Sequence, residues 1–303
     1  MSALDRLAAD GLLERDVDLA PLTTYKMGGT ARWMLEAERE ADVVRLARAL
    51  AEEPVPVFVL GRGSNVVVSE EGFPGVVVRP AGAFVAWDLT DDGIATAGAA
   101  VPLPVLARGT AAAGRGGLEW FVGVPGSVGG AVCMNAGCFG SDTAEVLVTA
   151  RILDLRSGDV AESGPDDLSM AYRSTSVGPH DMVLSARFRT HPVDSEAAMA
   201  RIREITRWRR DHQPGGTLNA GSVFKNPDGD AAGRIIDEVG LKGFRVGGAS
   251  VSERHANFFV AEGEATPSDV YRLVAEVRRR VREATGVDLE PEVRFIGFFE
   301  EAA

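Results

Sequence analysis

The sequence predicts an α+β protein of two domains, and three observations support this fold class. The chain has 303 residues, a length typical of roughly two domains. Short β-branched runs alternate with glycine turns over residues 72–190, which is typical of strands. Apolar residues at helical spacing dominate near 194–210 and 268–285. The segment THPVDS at 190–195 is therefore the predicted domain boundary.

Individual helices and strands are predicted from the spacing of apolar residues and from the proline and glycine residues that end them. Pro54 and Gly286 end helices, because proline disrupts a helix and glycine favours its C-terminus. Helices are predicted over 39–52, about 103–113, 194–210, 231–239 and 268–285. Strands are predicted over 55–60, 76–79, 94–97, 148–155, 182–188, 257–261 and in PEVRFIGFF at 291–299. In the 194–210 helix, the pattern places four apolar residues on one face: Met199, Ile202, Ile205 and Trp208.

Composition excludes several classes of function. The net charge of −12 argues against nonspecific binding to nucleic acid or to a membrane surface. The opening residues MSALDRLAADGLL lack the basic and apolar regions of a secretory signal, so we expect a cytoplasmic protein. Two cysteines, Cys133 and Cys138, make neither a disulfide framework nor a four-ligand metal site. We expect no bound metal.

The stretch Trp120–Ser141, WFVGVPGSVGGAVCMNAGCFGS, has no charged residue. A membrane helix is disfavoured, since each of its six glycines costs roughly 1 kcal/mol in a helix and Pro125 about 3. We interpret it as buried, irregular backbone whose glycines allow close approach to a ligand. Exposed N–H groups favour an anion such as phosphate, so the stretch is predicted to form half of a cofactor cradle.

The segment GRGSN at 61–65 follows a predicted strand and carries a second set of glycines. It is not a Rossmann dinucleotide motif, because Val66 stands where the third glycine belongs and a strand follows instead of a helix. A Walker-type phosphate loop is excluded because the chain has no GK[ST] segment. A strand–turn–strand can still present N–H groups to a pyrophosphate.

Seven motifs in one order carry a family resemblance. They are TTYKMGG, GRGSN, GVPGSVGGAVCMNAG, YRST, NAGSVFKNP, GLKGFRVGGASVSERHANF and LEPEVRFIG. Together they resemble the MurB family of UDP-N-acetylenolpyruvoylglucosamine reductases, in its shorter subtype. The resemblance implies a FAD-binding domain of the vanillyl-alcohol-oxidase/PCMH type over residues 1–192, with lobes of about 1–70 and 71–192. A smaller α+β substrate domain over 193–303 is implied to follow.

The resemblance also implies an activity, with NADPH as cosubstrate and FAD as cofactor. An enolpyruvyl ether of a UDP-sugar would be reduced to a lactyl ether during peptidoglycan precursor synthesis. Charge that develops on the substrate carboxylate needs a fixed cation, and the adjacent carbon needs a proton donor. By resemblance Arg173 is the cation, Ser222 the proton donor and Glu292 the catalytic glutamate. We expect a monomer whose partners are small molecules only.

Binding residues follow from the same resemblance. Those expected to hold FAD are Tyr25, Gly61, Arg62, Gly63, Ser64, Asn65, Gly123, Pro125, Gly126, Ser127, Gly129, Gly130 and Asn135. Those expected to face the UDP-sugar or its phosphates are Tyr172, Arg209, Lys225, Asn226 and Arg294. The chain departs from the family pattern at His212, where some members have lysine, at Thr175 for serine and at Ala261 for asparagine. With His212 in that place, the grip on phosphate falls to Arg209 or becomes sensitive to pH.

Other readings stay open at this stage. Without their motif context, Arg173 is a surface strand residue, Ser222 a turn residue and Glu292 a solvated charge. A different flavin oxidase or dehydrogenase on the same fold, acting on a hydroxy acid or sugar, is one alternative function. A flavin- or nucleotide-binding module without catalysis is another.

Overall fold

The structure is a computed structural model that describes residues 1–298 of the chain. Its α-helices are α1 Ala3–Ala9, α2 Glu40–Glu52, α3 Leu103–Ala112, α4 Val128–Met134, α5 Thr143–Val146, α6 Ser195–His212, α7 Ala232–Glu238 and α8 Pro267–Thr285. Short 3-10 helices cover Ala20–Leu22, Gly82–Val85 and Glu119–Gly123.

The strands are short and scattered along the chain. They are β1 Glu14–Asp18, β2 Thr30–Ala37, β3 Val57–Val59, β4 Val66–Val68, β5 Phe73–Pro80, β6 Trp87–Leu89, β7 Ile94–Gly98, β8 Arg115–Gly116, β9 Gly137–Cys138, β10 Ser141–Asp142, β11 Leu147–Asp154, β12 Val160–Ser163, β13 Asp181–Arg189, β14 His191–Pro192, β15 Arg245–Val246, β16 Ala249–Val251, β17 Phe259–Ala261 and β18 Arg294–Ile296. The mixture confirms the α+β class.

The predicted helices and strands are confirmed, with small shifts at their ends. The predicted helices correspond to α2, α3, α6, α7 and α8. The predicted terminal strand at 291–299 is shorter, since β18 covers only Arg294–Ile296, and residue 299 lies outside the described residues.

Two compact units divide the chain. The first contains Met1–Arg15, Trp33–Arg62 and Gly75–Arg209; the second contains Asp16–Arg32, Gly63–Pro74 and the chain from Arg210 onward. Each unit therefore draws on several separate segments. The sequence-based boundary near residue 192 stays a prediction.

The first unit is built around an antiparallel sheet of five strands in the order β12-β11-β13-β7-β6. In β13, buried residues alternate with exposed ones towards its end, as expected when one sheet face is covered. Helices α3 and α4 contribute Leu106 and Val132 to the buried cluster on this sheet. Phe121 packs edge-on against Phe188 with ring centroids 5.3 Å apart. This cluster supports the stretch that the sequence predicts to cradle a cofactor.

In the second unit, helix α8 packs its apolar stripe into a core shared with β16 and β17. The Thr266 side chain accepts a hydrogen bond from the Asp269 N–H, and the Asp269 carboxylate accepts one from the Thr266 N–H, which makes a capping box. Pro267 at the first turn and Gly286 in the left-handed region (φ 78°) complete the helix signals. Beside this core, β4 pairs in parallel with β18, which ties Val66 to Arg294.

Two features of the described residues concern membrane-spanning helices and metal-binding clusters. None of the helices within residues 1–298 has an apolar run long enough to cross a bilayer. Over the same range, no cluster of three or more His, Cys, Asp or Glu residues is arranged to hold a metal ion.

Candidate active site

The two predicted glycine segments lie side by side in the first unit. The Arg62 Nε–H donates a hydrogen bond to the Pro125 carbonyl at 3.1 Å. A Cβ added to Gly61 would lie 2.8 Å from the Ser127 Oγ, so the two segments are in close contact at this glycine. The segment after β3 and the segment before α4 therefore form one continuous backbone surface.

Part of the uncharged stretch is helical, which corrects the prediction of irregular backbone. Helix α4 starts at Val128, whose N–H donates to the Val101 carbonyl at 3.0 Å, and the Gly129 N–H donates to the Ala99 carbonyl at 2.9 Å. A Cβ on Gly129 would lie 3.0 Å from the Ala99 Cβ. Packing against Ala99 thus offsets the helix cost of glycine, because the small residue permits the contact.

This surface fits the pyrophosphate of a dinucleotide such as FAD. Within residues 1–298, the backbone N–H groups of Gly61, Arg62, Gly126, Ser127 and Gly130 donate to no protein acceptor. A Cβ on Gly130 would meet only the Ser127 Oγ, at 3.8 Å, so the space above that turn is open. Clustered, unsatisfied N–H groups favour a bound anion.

The uncharged stretch also contains a buried donor. The Trp120 indole N–H is buried and has no acceptor within residues 1–298. A buried donor without a partner costs about 1–3 kcal/mol, so an acceptor supplied by a ligand or water would stabilise it.

The second unit holds the rest of the GRGSN segment. Gly63 has φ 61°, and its carbonyl accepts hydrogen bonds from the Thr24 N–H at 3.0 Å and the Thr24 hydroxyl at 3.3 Å. The Asn65 side chain donates to the Glu292 carbonyl at 2.9 Å, and the Asn65 carbonyl accepts from the Arg294 N–H at 3.0 Å. The segment is thereby fastened to the backbone that carries a predicted catalytic residue.

Gly63→Ala is expected to destabilise the protein by about 2–4 kcal/mol, because the new side chain adds a left-handed penalty to a steric clash. The added Cβ would lie 2.2 Å from the Leu22 carbonyl oxygen. Gly263→Ala is the matched control, since Gly263 has φ 58° but no atom within 4 Å of an added Cβ. Thermal or urea unfolding of both variants would measure the difference. Equal losses in the two variants would contradict the close approach at Gly63.

Two predicted cofactor residues have side chains that already bond to protein groups. The Tyr25 hydroxyl donates to the Phe259 carbonyl at 2.9 Å, and burial raises the pKa of that phenol. The Asn135 amide donates to the Ala171 carbonyl at 2.9 Å, while its oxygen accepts from the Ala144 N–H at 2.9 Å. Both side chains brace the backbone around the site, and their roles toward FAD stay predictions.

Ser222 and Glu292 are brought together in the second unit. The Glu292 N–H donates to the Val223 carbonyl at 2.7 Å, and Ser222 is bridged to Phe258 on its other side. Gly221, with φ 77°, makes the turn that precedes the serine. Both predicted catalytic side chains are half-buried. The backbone pairing thus holds Glu292 opposite Val223, the residue that follows Ser222.

Lys225 and Asn226 follow on the same segment. The Lys225 N–H donates to the Glu290 carbonyl at 2.9 Å, and its Nζ lies 2.6 Å from Glu290 Oε1. The Asn226 oxygen accepts from the Ala232 N–H at 3.1 Å, at the start of α7. Arg294 lies exposed on β18. The glutamate partner of Lys225 was not anticipated, since 65 residues separate the two in sequence.

Arg173 lies in the first unit, in a turn with φ 52°. Its guanidinium donates to the carbonyls of Gly137 and Asn135, the latter at 3.4 Å, and lies over the Tyr172 ring at 5.0 Å from the centroid. Thr175 donates to the Cys133 carbonyl at 2.9 Å, so the threonine that replaces serine in YRST anchors the turn. The arginine is held by several groups at once and is not a mobile surface residue.

Arg209 and Cys138 share a half-buried region of the first unit. Burial lowers the pKa of Arg209. Burial raises the pKa of the Cys138 thiol to about 11, against the opposing pull of Arg209 and Arg173. The thiol donates to the Trp120 carbonyl at 3.3 Å. Cys138 therefore lies close to Trp120 and to these two arginines, a placement that the sequence does not predict.

Trp208 is more exposed than its place on the predicted apolar face of the helix implies. Ile202 and Ile205 of the predicted apolar face are buried, but Trp208 is 43% exposed. The helix continues to His212, which is exposed, beyond the core that its earlier turns cover.

Comparison with known proteins places these residues in a family. Residues 31–164 match the family described as FAD binding domain, and residues 213–296 match the C-terminal domain of UDP-N-acetylenolpyruvoylglucosamine reductase. A protein named UDP-N-acetylenolpyruvoylglucosamine reductase from Rubrobacter xylanophilus is 44% identical over 298 residues, covering 95% of this chain and 99% of that protein.

The chain belongs to the UDP-N-acetylenolpyruvoylglucosamine reductase (MurB) family. A relative of the same name from Paramagnetospirillum magneticum is 40% identical over 293 residues, covering 97% of this chain and 94% of the relative. The crystal structure of MurB from Thermus caldophilus matches with a TM-score of 0.80 and 37% identity over 94% of this chain and 98% of that one. The predicted MurB fold, with its FAD-binding domain, is confirmed.

Proposed function

We propose that this MurB-family chain is an FAD-dependent oxidoreductase that reduces UDP-N-acetylenolpyruvoylglucosamine to UDP-N-acetylmuramate with NADPH. The observation that carries the proposal is the hydrogen bond from the Glu292 N–H to the Val223 carbonyl, which places Glu292 beside the segment of Ser222 inside the region that matches the reductase C-terminal domain. The glycine surface at Gly61 and Gly126–Gly130 supports FAD as the cofactor. We further propose that the enzyme acts in the cytoplasm as a monomer, in peptidoglycan precursor synthesis.

When bound and reduced, FAD supplies the hydride for the substrate double bond. Arg173 has the chemistry to grip the substrate carboxylate, since a guanidinium offers five donors in a fixed fork. The carbonyls of Asn135 and Gly137 hold the guanidinium in place. Its fixed positive charge would stabilise charge as it develops on the carboxylate.

Ser222 is the proposed proton donor to the adjacent carbon. A serine hydroxyl is a weak acid, so its proton must leave towards a carbon that carries developing negative charge. Glu292, fixed beside it by backbone pairing, is proposed to act in its protonated form near the same charge. The overall reaction then consumes one hydride from NADPH and one proton.

Lys225, Asn226 and Arg294 of the second unit are proposed to contact the UDP-sugar or its phosphates, and Tyr172 and Arg209 of the first unit stay predicted contacts of the same substrate. Lys225 has only 19% of its side chain exposed and is paired with Glu290, so the ammonium is already held in one place. A held cation loses less side-chain entropy when phosphate binds. The Asn226 oxygen accepts from the Ala232 N–H, which fixes the side chain at the start of α7.

The visible absorption spectrum of the purified protein tests the proposal. We expect a yellow protein whose flavin absorption is bleached by NADPH under anaerobic conditions and restored by the enolpyruvyl substrate. Product formation should match the NADPH consumed. Colourless protein that takes up no added FAD would refute the proposal. Restoration by a hydroxy acid or sugar in oxidised form would instead identify a different flavin dehydrogenase.

A further inference from the structure

One buried asparagine holds the backbone that connects Ser222 to Lys225 in the second unit. Asn257 is 3% exposed. Its side-chain oxygen accepts a hydrogen bond from the Phe224 N–H at 2.9 Å, and its amide donates to the Phe224 carbonyl at 2.8 Å. The Asn257 backbone carbonyl accepts a third bond, from the Val223 N–H at 2.9 Å. Three hydrogen bonds therefore join this one residue to the segment of the proposed proton donor.

These three bonds act on successive peptide groups. The Val223 N–H belongs to the peptide group that follows the Cα of Ser222, and the Phe224 N–H belongs to the next one. The Phe224 carbonyl belongs to the peptide group that ends at Lys225. Because a peptide group is planar, a bond to its N–H or to its carbonyl orients the whole group. Asn257 thus sets how the side chains of Ser222 and Lys225 are placed relative to each other.

An amide side chain is the group that this backbone requires. The flanking segments contact it through isolated bridges, from Ser222 to Phe258 and from Phe224 to Pro291. A side-chain amide carries both a donor and an acceptor, so asparagine can bond the N–H and the carbonyl of one residue at the same time. An N–H can only donate and a carbonyl can only accept. Neither leucine nor ionised aspartate offers both partners at this place.

We propose that Asn257 is a positioning residue for reduction of the UDP-sugar, because it holds Ser222 in register with Lys225. The inference rests on the proposed function, in which Ser222 protonates the substrate carbon and Lys225 contacts the UDP-sugar or its phosphates. Asn257 acts through the backbone and contributes no chemistry of its own. Its effect is large because a displacement of about 1 Å in a reacting group can cost roughly 10²-fold in rate.

Asn257→Asp is the first test, because aspartate has the shape of asparagine but changes its hydrogen bonding with pH. The ionised carboxylate repels the Phe224 carbonyl, whereas the protonated carboxyl again accepts from the N–H and donates to the carbonyl. Burial raises the pKa of such a carboxyl. We expect substrate reduction to be roughly 10²-fold slower than in wild type at about pH 8.5 and to approach the wild-type rate towards about pH 6. Anaerobic stopped-flow absorption separates this step from flavin reduction by NADPH, which should keep its wild-type rate.

Two controls separate positioning from titration of neighbours and from loss of stability. The His255 Nδ1 accepts from the Asn257 N–H at 3.3 Å, and burial lowers the pKa of His255, as does the charge of Lys242. The variant is therefore compared with wild type at each pH, because both proteins contain His255 and Lys242. Val281→Ala removes buried methyl groups from α8 in the same core, so it should lower the melting temperature without changing the pH dependence of either step.

Asn257→Ala removes both side-chain bonds and serves as the test if the aspartate variant does not fold. We expect slow substrate reduction at every pH, a higher KM for the UDP-sugar and an unchanged KM for NADPH. Hydrogen exchange measured by mass spectrometry should be faster in peptides that contain residues 222–225.

Wild-type substrate reduction in Asn257→Ala would overturn the inference, and so would an Asn257→Asp defect that is equal at both pH values. Loss of bound flavin in both variants would assign Asn257 to stability alone and would also overturn it. If the wild-type protein does not reduce the UDP-sugar, the proposed function fails and the inference fails with it. An active wild type with unaffected variants refutes the inference alone.

Discussion

Ser222→Ala is expected to lower turnover of the enolpyruvyl substrate by roughly 10²–10⁴-fold, the range that general acid catalysis contributes. NADPH should still reduce the bound flavin at the wild-type rate, because that step needs no proton at the substrate carbon. Ser222 is only half-buried and its neighbour Val223 keeps the backbone pairing with Glu292, so the fold should be preserved. Stopped-flow absorption measures the two half-reactions separately.

Ser268→Ala is the matched control for that experiment. Ser268 is a serine of the same unit whose hydroxyl donates to Glu70 Oε2 at 3.0 Å, at the start of α8. Loss of the Ser268 hydroxyl should leave the rates of flavin reduction and of substrate reduction unchanged. Full turnover in Ser222→Ala would rule out the serine as proton donor, and loss of flavin reduction would instead indicate damage to the cofactor site.

Local signals in the sequence were sufficient to predict an element where capping residues, proline or glycine mark its two ends. Helix α8 is such a case, because Thr266, Pro267 and Gly286 define its ends and a clear apolar stripe defines its buried face. Helix α4 is the opposite case. Its glycines predict irregular backbone, but the packing of Gly129 on Ala99, 30 residues earlier, and the burial of Val128 and Val132 stabilise the helix.

In the candidate site, too, local motifs predicted some features, whereas contacts between residues far apart in sequence were not predicted. Motifs named Arg173, Ser222 and Glu292, but not the groups that hold them, because those partners come from distant segments. Arg173 depends on carbonyls 36 and 38 residues earlier, and Lys225 on a glutamate 65 residues later. Trp208 was placed with buried residues because helical periodicity gives the direction of a side chain but not where the core ends.

Arg173→Lys is expected to reduce turnover by roughly 10²–10³-fold, comparable with the loss of a donor that stabilises a developing oxyanion. Lysine keeps the charge but not the planar fork, so it cannot bond the carbonyls of Asn135 and Gly137 and still offer two aligned donors to a carboxylate. The defect should fall on kcat more than on KM, since the charge grows as the reaction proceeds.

Arg151→Lys, an arginine on β11 paired with Glu40 at 3.1 Å, is the matched control, because an exposed pair of this kind tolerates the exchange. Flavin content and the rate of flavin reduction by NADPH should be preserved in both variants. Wild-type turnover in Arg173→Lys would show that a point charge suffices and that the guanidinium fork has no part in catalysis. A loss of flavin with turnover would assign Arg173 to support of the Asn135–Gly137 backbone, where its guanidinium is already bonded in the absence of substrate.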